Sequence, residues 1–284
     1  MGGRIAFKSI RVSVVVMAWL FSGFFPAAGV GAESLVGKAD SGRKPLLISA
    51  HPEFPPVMWK KGDTIVGTSS LLAKTIFAEL GISCKIVYSG PWKRVQHEAE
   101  NGRIDLISGI YYNDERNRYL LYTKPYMDDP TSIIVAVGKA FPCFGREALI
   151  GKRGVAPFGD SFGEEFDLFI KDRLQVIRPY TLQLCFQALL EGRADYLLFG
   201  YYSALIGSKT FGYLDQIEVV NREIDTTGMY MAFSRKSEYC YLLPQVNRII
   251  ERLRKNGTIA KWNAANLASY PEAVLYQAVD STKK

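Results

Sequence analysis

Short apolar runs rich in β-branched residues alternate along this chain with segments whose apolar positions recur at helical spacing. The first run, residues 46–50, reads as a buried strand. Thr68 or Ser69 can N-cap a helix over 70–80, and Gly81 stops it. A second strand is predicted at 84–88, and Pro91 opens a helix over 92–100 that Asn101-Gly102 closes. A third strand at 104–108 leads into a loop rich in Tyr and Asp, then an apolar run at 132–137. From about Lys139 the alternation starts afresh: strands at 154–156, 175–177, 194–199 and 216–220 are interleaved with helices at 162–173, 181–190 and 201–208. A strand at 229–234 and amphipathic helices at 241–255 and 259–266 complete the pattern. Strands separated by helices of this length form βαβ units and parallel sheets, so two such units predict two α/β lobes.

The N-terminus follows a different pattern. Arg4, Lys8 and Arg11 precede an apolar stretch at 14–25 and the small-residue run PAAGVGA, with Val30 and Ala32 placed for cleavage before Glu33. This is the layout of a secretory signal peptide, and its apolar part is short for a membrane span. Residues 1–32 are therefore expected to be removed on export to the periplasm, leaving 252 residues that begin with a linker, 33–44, and end with a tail, 271–284. The chain carries +7, of which the leader contributes three, and no Lys/Arg cluster interleaved with aromatics occurs, so nucleic acid is not an expected partner. Cys84, Cys143, Cys185 and Cys240 are widely spaced without a C-x-x-C pair, which argues against zinc or redox chemistry. Pairing among them and buried free thiols both remain open. His51 and His97 are too far apart for a metal cluster, and no cofactor is expected.

Six segments then recur in a familiar order: EFPPVMW, GTSSLLAK, PWKRVQHEAENGRIDLI, NDERNRYLLYTKPY, LLEGRADYLLF and KNGTIAKWNAANL. Together they resemble the family 3 periplasmic solute-binding proteins, the amino-acid-binding type of ABC transport systems, from Leu46 to about Ser269. The resemblance implies an α/β two-lobed periplasmic-binding-protein fold of type II, the Venus-flytrap. Lobe 1 would take residues 45–135 and 232–270 and lobe 2 residues 136–231, with hinge strands near 131–137 and 227–233. It further implies a small-molecule solute (an amino acid or other carboxylate) buried between the lobes, an ABC permease in the inner membrane as partner, and a monomer.

The resemblance also places a site. Arg116 matches the carboxylate-binding Arg, whose planar fork suits bidentate capture. Phe54 and Trp92 fall where the family sets aromatics against the ligand, and backbone groups of Gly109, Ile110 and Tyr111 would complete the carboxylate cradle. In lobe 2, Asp160, Ser161 and Phe162 open a helix whose N–H groups and Ser161 hydroxyl suit an anion, and Tyr201 would close over the solute. Three positions depart from the family. Its ammonium-binding Asp falls at Gly200, its Asp after the first strand at His51, and its carboxylate-binding hydroxyl at Tyr111. Such a cleft prefers an anion, or an ammonium held differently, with Asp160 or Glu53 as substitutes. The stretch from Gly159 to Gly163 also reads G-x-S-x-G, but a hydrolase of that kind needs a His after the Ser and both His precede it. No enzyme is expected. Two other roles fit the same fold: a dehydratase of the cyclohexadienyl type, for which Asp160, Glu53 and Glu164 are the available acids, and a sensor accessory presenting its ligand to a membrane receptor.

Overall fold

The computed structural model describes residues 44–269, so the leader, most of the linker and the tail fall outside the described residues. Lobe 1 opens with β1 (Leu46–Ser49), followed by β2 (Glu53–Phe54), β3 (Met58–Lys61), β4 (Thr64–Val66), α1 (Thr68–Glu79), β5 (Cys84–Ile86), α2 (Trp92–Glu100), β6 (Leu106–Tyr111), α3 (Asp114–Asn117) and β7 (Leu120–Tyr122). The chain then crosses on β8 (Met127–Ala136) to β9 (Arg153–Val155), α4 (Glu164–Arg173), β10 (Gln175–Ile177), α5 (Leu182–Leu190), β11 (Tyr196–Gly200) and α6 (Tyr201–Thr210). It returns on β12 (Ile217–Ser234), and α7 (Leu243–Lys255) and α8 (Thr258–Ala268) follow.

One sheet runs through both lobes in the order β10-β9-β11-β8-β12-β6-β1-β5, with β7 paired to β12. The lobe-1 strands β1, β5 and β6 are parallel, as are β9, β10 and β11 of lobe 2, which is the arrangement the strand–helix alternation predicts. The antiparallel pair β8 and β12 is the shared segment. β12 pairs with β6 from Met229 onward, while β8 is already paired with β11 at Thr131, so the crossing occupies residues near 129–131 and 225–229.

Several details differ from the pattern read off the sequence. The runs at 216–220 and 229–234 are one 18-residue strand. The polar stretch between them resembles a break, yet pairing with β8 continues across it through two register shifts, which absorb the irregularity. The small sheet β2-β3-β4 was not expected, although Lys61-Gly62-Asp63 with Gly62 in the left-handed region is a hairpin signal. Helix α1 is capped by neither Thr68 nor Ser69. The residue before it is Gly67, without a side-chain bond, and the Thr68 hydroxyl instead donates to Asn263 Oδ1 at 3.0 Å, tying α1 to α8. All four cysteines are free thiols.

The repeated Gly-Arg-x-Asp element has one structural job in both lobes. Asp105 accepts the Leu47 N–H at 2.9 Å and the Ser237 hydroxyl at 2.7 Å, fixing the start of β1 beside β6. Asp195 accepts the Arg153 N–H at 2.8 Å at the start of β9. The Asp105→Ala substitution orphans two partly buried donors, so chemical denaturation should show a loss of about 1–3 kcal/mol. An unchanged midpoint would remove this role.

Candidate functional site

The cleft is built where strands of both lobes end. Beyond β1 the chain turns at His51, whose ring packs 5.0 Å from Trp92 at the start of α2 and 5.8 Å from Phe54 in β2. Phe54 in turn meets Tyr111 and Phe199 edge-on at 6.2 and 5.2 Å. The one-turn helix α3 exists because Asn113 caps it, its side-chain oxygen accepting the Arg116 N–H at 2.9 Å. That turn folds the Arg116 guanidinium back toward β6. Its Nη1 donates to the Tyr111 carbonyl at 2.9 Å and its Nη2 crosses the cleft to the Gly159 carbonyl at 2.8 Å.

Lobe 2 contributes the loop before α4. Gly159 also accepts from Gln96 Nε2 at 3.0 Å, and Asp160 Oδ1 lies 3.2 Å from His51 Nε2. Between the lobes remains a cavity of about 30 Å3, room for roughly two waters. Ten of the eleven residues singled out from the sequence line it: His51, Phe54, Trp92, Gly109, Ile110, Tyr111, Arg116, Asp160, Ser161 and Phe162. Met58, Gly200 and Met229 complete the lining. Larger polar space opens on the side of Lys93 and Arg178, and an aromatic recess bordered by Phe158 and Tyr180 on the side of His51.

Tyr201 is the residue the structure moves out of the site. Because α6 begins immediately after Gly200, the Tyr201 ring turns into the core, 2% exposed, with Arg222 4.3 Å from its centre. The role expected of Ser161 also changes. Its hydroxyl donates to Asp167, and Asp167 takes the Phe162 N–H at 2.8 Å, so these two donors are already used within lobe 2. Asn113 Nδ2 reaches Ser161 Oγ at 3.2 Å, one more tie between the lobes.

Charge in the cavity is sparse. Arg116 is 4% exposed, its guanidinium lies 5.7 Å from the centre of the Trp92 ring, and no carboxylate lies within 4.0 Å of it among the described residues. The Gly200 position is filled from the other lobe: a Cβ there would fall 2.6 Å from the Phe54 ring. The same Cβ would lie 3.4 Å from Asp129 Oδ2, which exposes a residue that the sequence reading missed. Asp129 is buried and accepts the Tyr111 hydroxyl proton. Burial pushes its carboxyl up to about 6, against the opposing effect of the Tyr111 bond, and burial with the Asp129 charge pushes Tyr111 far up. Its signal was the two-residue period: carried back from Ile133 and Thr131, it places Asp129 on the inner face of β8.

A family model described as bacterial extracellular solute-binding proteins, family 3, matches residues 46–267. The Probable amino-acid-binding protein YxeM of Bacillus subtilis (strain 168) is 22% identical over 252 residues, 83% of this chain and 90% of that protein. Among solved structures, ArgBP from T. maritima is similar with a TM-score of 0.63 and 24% identity, covering 77% of this chain and 95% of that one. The amino acid ABC transporter substrate-binding protein AbpA from Streptococcus pneumoniae, bound to L-arginine, gives 0.65 and 20% over 81% and 95%. These likenesses place the fold among two-lobed binding proteins.

The raised Asp129 carboxyl has a consequence for stability. Its folded pKa of about 6 lies above the ordinary carboxyl value of 3.8, so between those values the folded chain holds a proton that the unfolded chain has lost. Stability falls as pH rises through that window, by an amount on the order of 3 kcal/mol once it is complete. Asp129→Asn keeps the acceptor for Tyr111 and removes the titration, so between pH 4 and 7 the parent should lose stability relative to the variant. Parallel profiles for the two proteins would show that Asp129 does not titrate there.

Proposed function

Because this chain belongs to the bacterial extracellular solute-binding proteins, family 3, we propose that it captures a small carboxylate-bearing solute in the periplasm, an amino acid being the leading case, and hands it to an ABC permease. One observation carries the reading: a deeply buried guanidinium, uncancelled by any carboxylate of the described chain, borders a cavity between two lobes. A cation in that setting favours an anionic partner with planar bidentate geometry, which a carboxylate supplies. The names of YxeM and AbpA, one amino-acid-binding and the other an amino acid ABC transporter component bound to L-arginine, support the amino acid as the leading case.

Lobe 1 takes the solute first, through Arg116 and the Trp92 face. Bending at β8 and β12 then brings the loop from Gly159 to Phe162 over it, and the gain on closing is limited to the solute's preference for the closed form. Binding is the whole of the activity in this reading, and the solute leaves unchanged. Residues 1–32 act as the export signal, so the mature N-terminus is Glu33.

A thermal-shift screen of the purified protein against amino acids, simple carboxylates and prephenate tests the proposal. A rise in melting temperature with the hit recovered intact is expected. Arg116→Ala should then weaken that hit about a hundredfold, the cost of losing one partner of a buried charge pair. Turnover of prephenate, or an Arg116→Ala variant that binds like the parent, would refute it.

A further inference from the structure

Asp129 stands where the two lobes and the hinge meet. It lies on β8 at the crossing, with Thr227 of β12 as its partner in the ladder. Its carboxylate accepts the Tyr111 hydroxyl from lobe 1. On the lobe-2 side its Oδ2 faces Gly200, 3.4 Å from where a Cβ would stand, and a glycine offers no side chain to shield it. The shield comes from the opposite lobe. The Phe54 ring lies 2.6 Å from the same Cβ position and 5.2 Å from the centre of the Phe199 ring. With the cross-lobe bonds made, Asp129 is 5% exposed. Parting the lobes draws Phe54 away from Gly200 and Phe199, and water then reaches the carboxylate.

The groups around Asp129 leave it to titrate alone. Tyr111 and Tyr126 are the phenols beside it, and burial together with the Asp129 charge pushes both far above the usual range, so both stay neutral while the acid titrates. The buried Tyr126 hydroxyl has no hydrogen-bond partner among the described residues, so it gives Asp129 no second bond. β12 and β11 present Thr227 and Gly200, neither of which ionises. No cation lies within 4.0 Å of Asp129 among the described residues. The charged groups of the cavity are Arg116, His51 and Asp160, and the last two form the other ionisable pair across the lobes, at 3.2 Å.

Burial holds the Asp129 carboxyl at about 6, whereas in water its value returns toward 3.8. Between those values the closed form holds a proton that the open form has lost. Closing therefore takes up a proton, and the closed form loses ground as pH rises. The closed-to-open ratio falls by up to about a hundredfold, most of it between pH 4 and 7. Opening recovers part of the stability that the closed form loses over this window, and it breaks only the bonds between the lobes.

We propose that Asp129 is a proton-operated latch in the hinge: the neutral acid keeps the lobes together and its ionisation drives them apart, so the protein holds its solute in acid surroundings and releases it as they turn neutral. The device does not depend on which solute is bound, and it stands or falls apart from the carboxylate reading.

Small-angle X-ray scattering of the purified protein without solute, from pH 4 to 8, tests the latch, with circular dichroism recorded alongside to show that the fold is kept. The radius of gyration of the parent should rise through this range. Asp129→Asn, which cannot ionise, should stay compact throughout. Tyr111→Phe removes the bond that opposes the effect of burial, so its opening should move to higher pH. His51→Gln should open as the parent does. A parent of constant radius overturns the proposal, and so does an Asp129→Asn protein that opens with pH as the parent does. Loss of the transition in His51→Gln also overturns it, and assigns the pH dependence to the His51 and Asp160 pair.

Discussion

A guanidinium held out of water, with no carboxylate of the described residues within 4.0 Å, is the constraint around which this cleft is organised. Removing a cation from water costs several kcal/mol unless other groups take over its solvation, and two backbone carbonyls do so only in part. Arg116 spends one donor on its own lobe, at Tyr111, and one on the opposite lobe, at Gly159. Its position depends on a single turn of helix that Asn113 caps, and Asn113 also reaches Ser161 across the cleft. The groups that aim the cation are therefore the groups that feel the lobes come together.

The mechanical frame divides accordingly. Six strands have parallel partners, three to a lobe; Asp105 holds the start of β1 and Asp195 the start of β9, and between the two sets the two long antiparallel strands are shared. Closure is registered by several bonds, among them Gln96 and Arg116 to Gly159, Asn113 to Ser161, His51 to Asp160, the Asp114 N–H to Glu164, the Leu182 N–H to Glu53, and Ser203 to the Pro55 carbonyl at 2.6 Å. A neutral one is worth about 0.5–1.5 kcal/mol net and one to a charged group about 1.5–3 kcal/mol, because each replaces a bond to water. Contacts of that size tune a hinge without locking it, which leaves a bound solute able to shift the balance.

The two lobes, most helices and the place of Arg116 were legible in the sequence because they rest on local signals. Apolar periodicity and Gly and Pro at helix ends are read within a dozen residues, and Arg116 was placed by the resemblance of the run Asn113 to Arg118 to the family. What was not legible arises from pairs far apart in the chain. His51 and Asp160 are 109 residues apart, and nothing local to either announces the other. The departure at Gly200 was visible, but not that Phe54 fills the space it leaves. Ser161 looked like a ligand contact because it opens a helix; Asp167, six residues on, takes its proton. Tyr201 looked like a lid, and the immediate start of α6 turned it into core.

The residues of the frame and those of the cleft are held in different ways. Asp105 and Asp195 repeat the same bond in both lobes, so the motif they belong to serves the frame. Phe54 and Gly200 carry no bond of that kind, and His51 accepts only the nearby Glu53 N–H, at 3.0 Å, yet the three positions are coupled. A glycine at 200 admits the Phe54 ring, and the ring packs against the imidazole that holds Asp160. A side chain restored at Gly200 would displace Phe54 and with it the support of His51. The packing around Asp160 is thus a property of the three positions together.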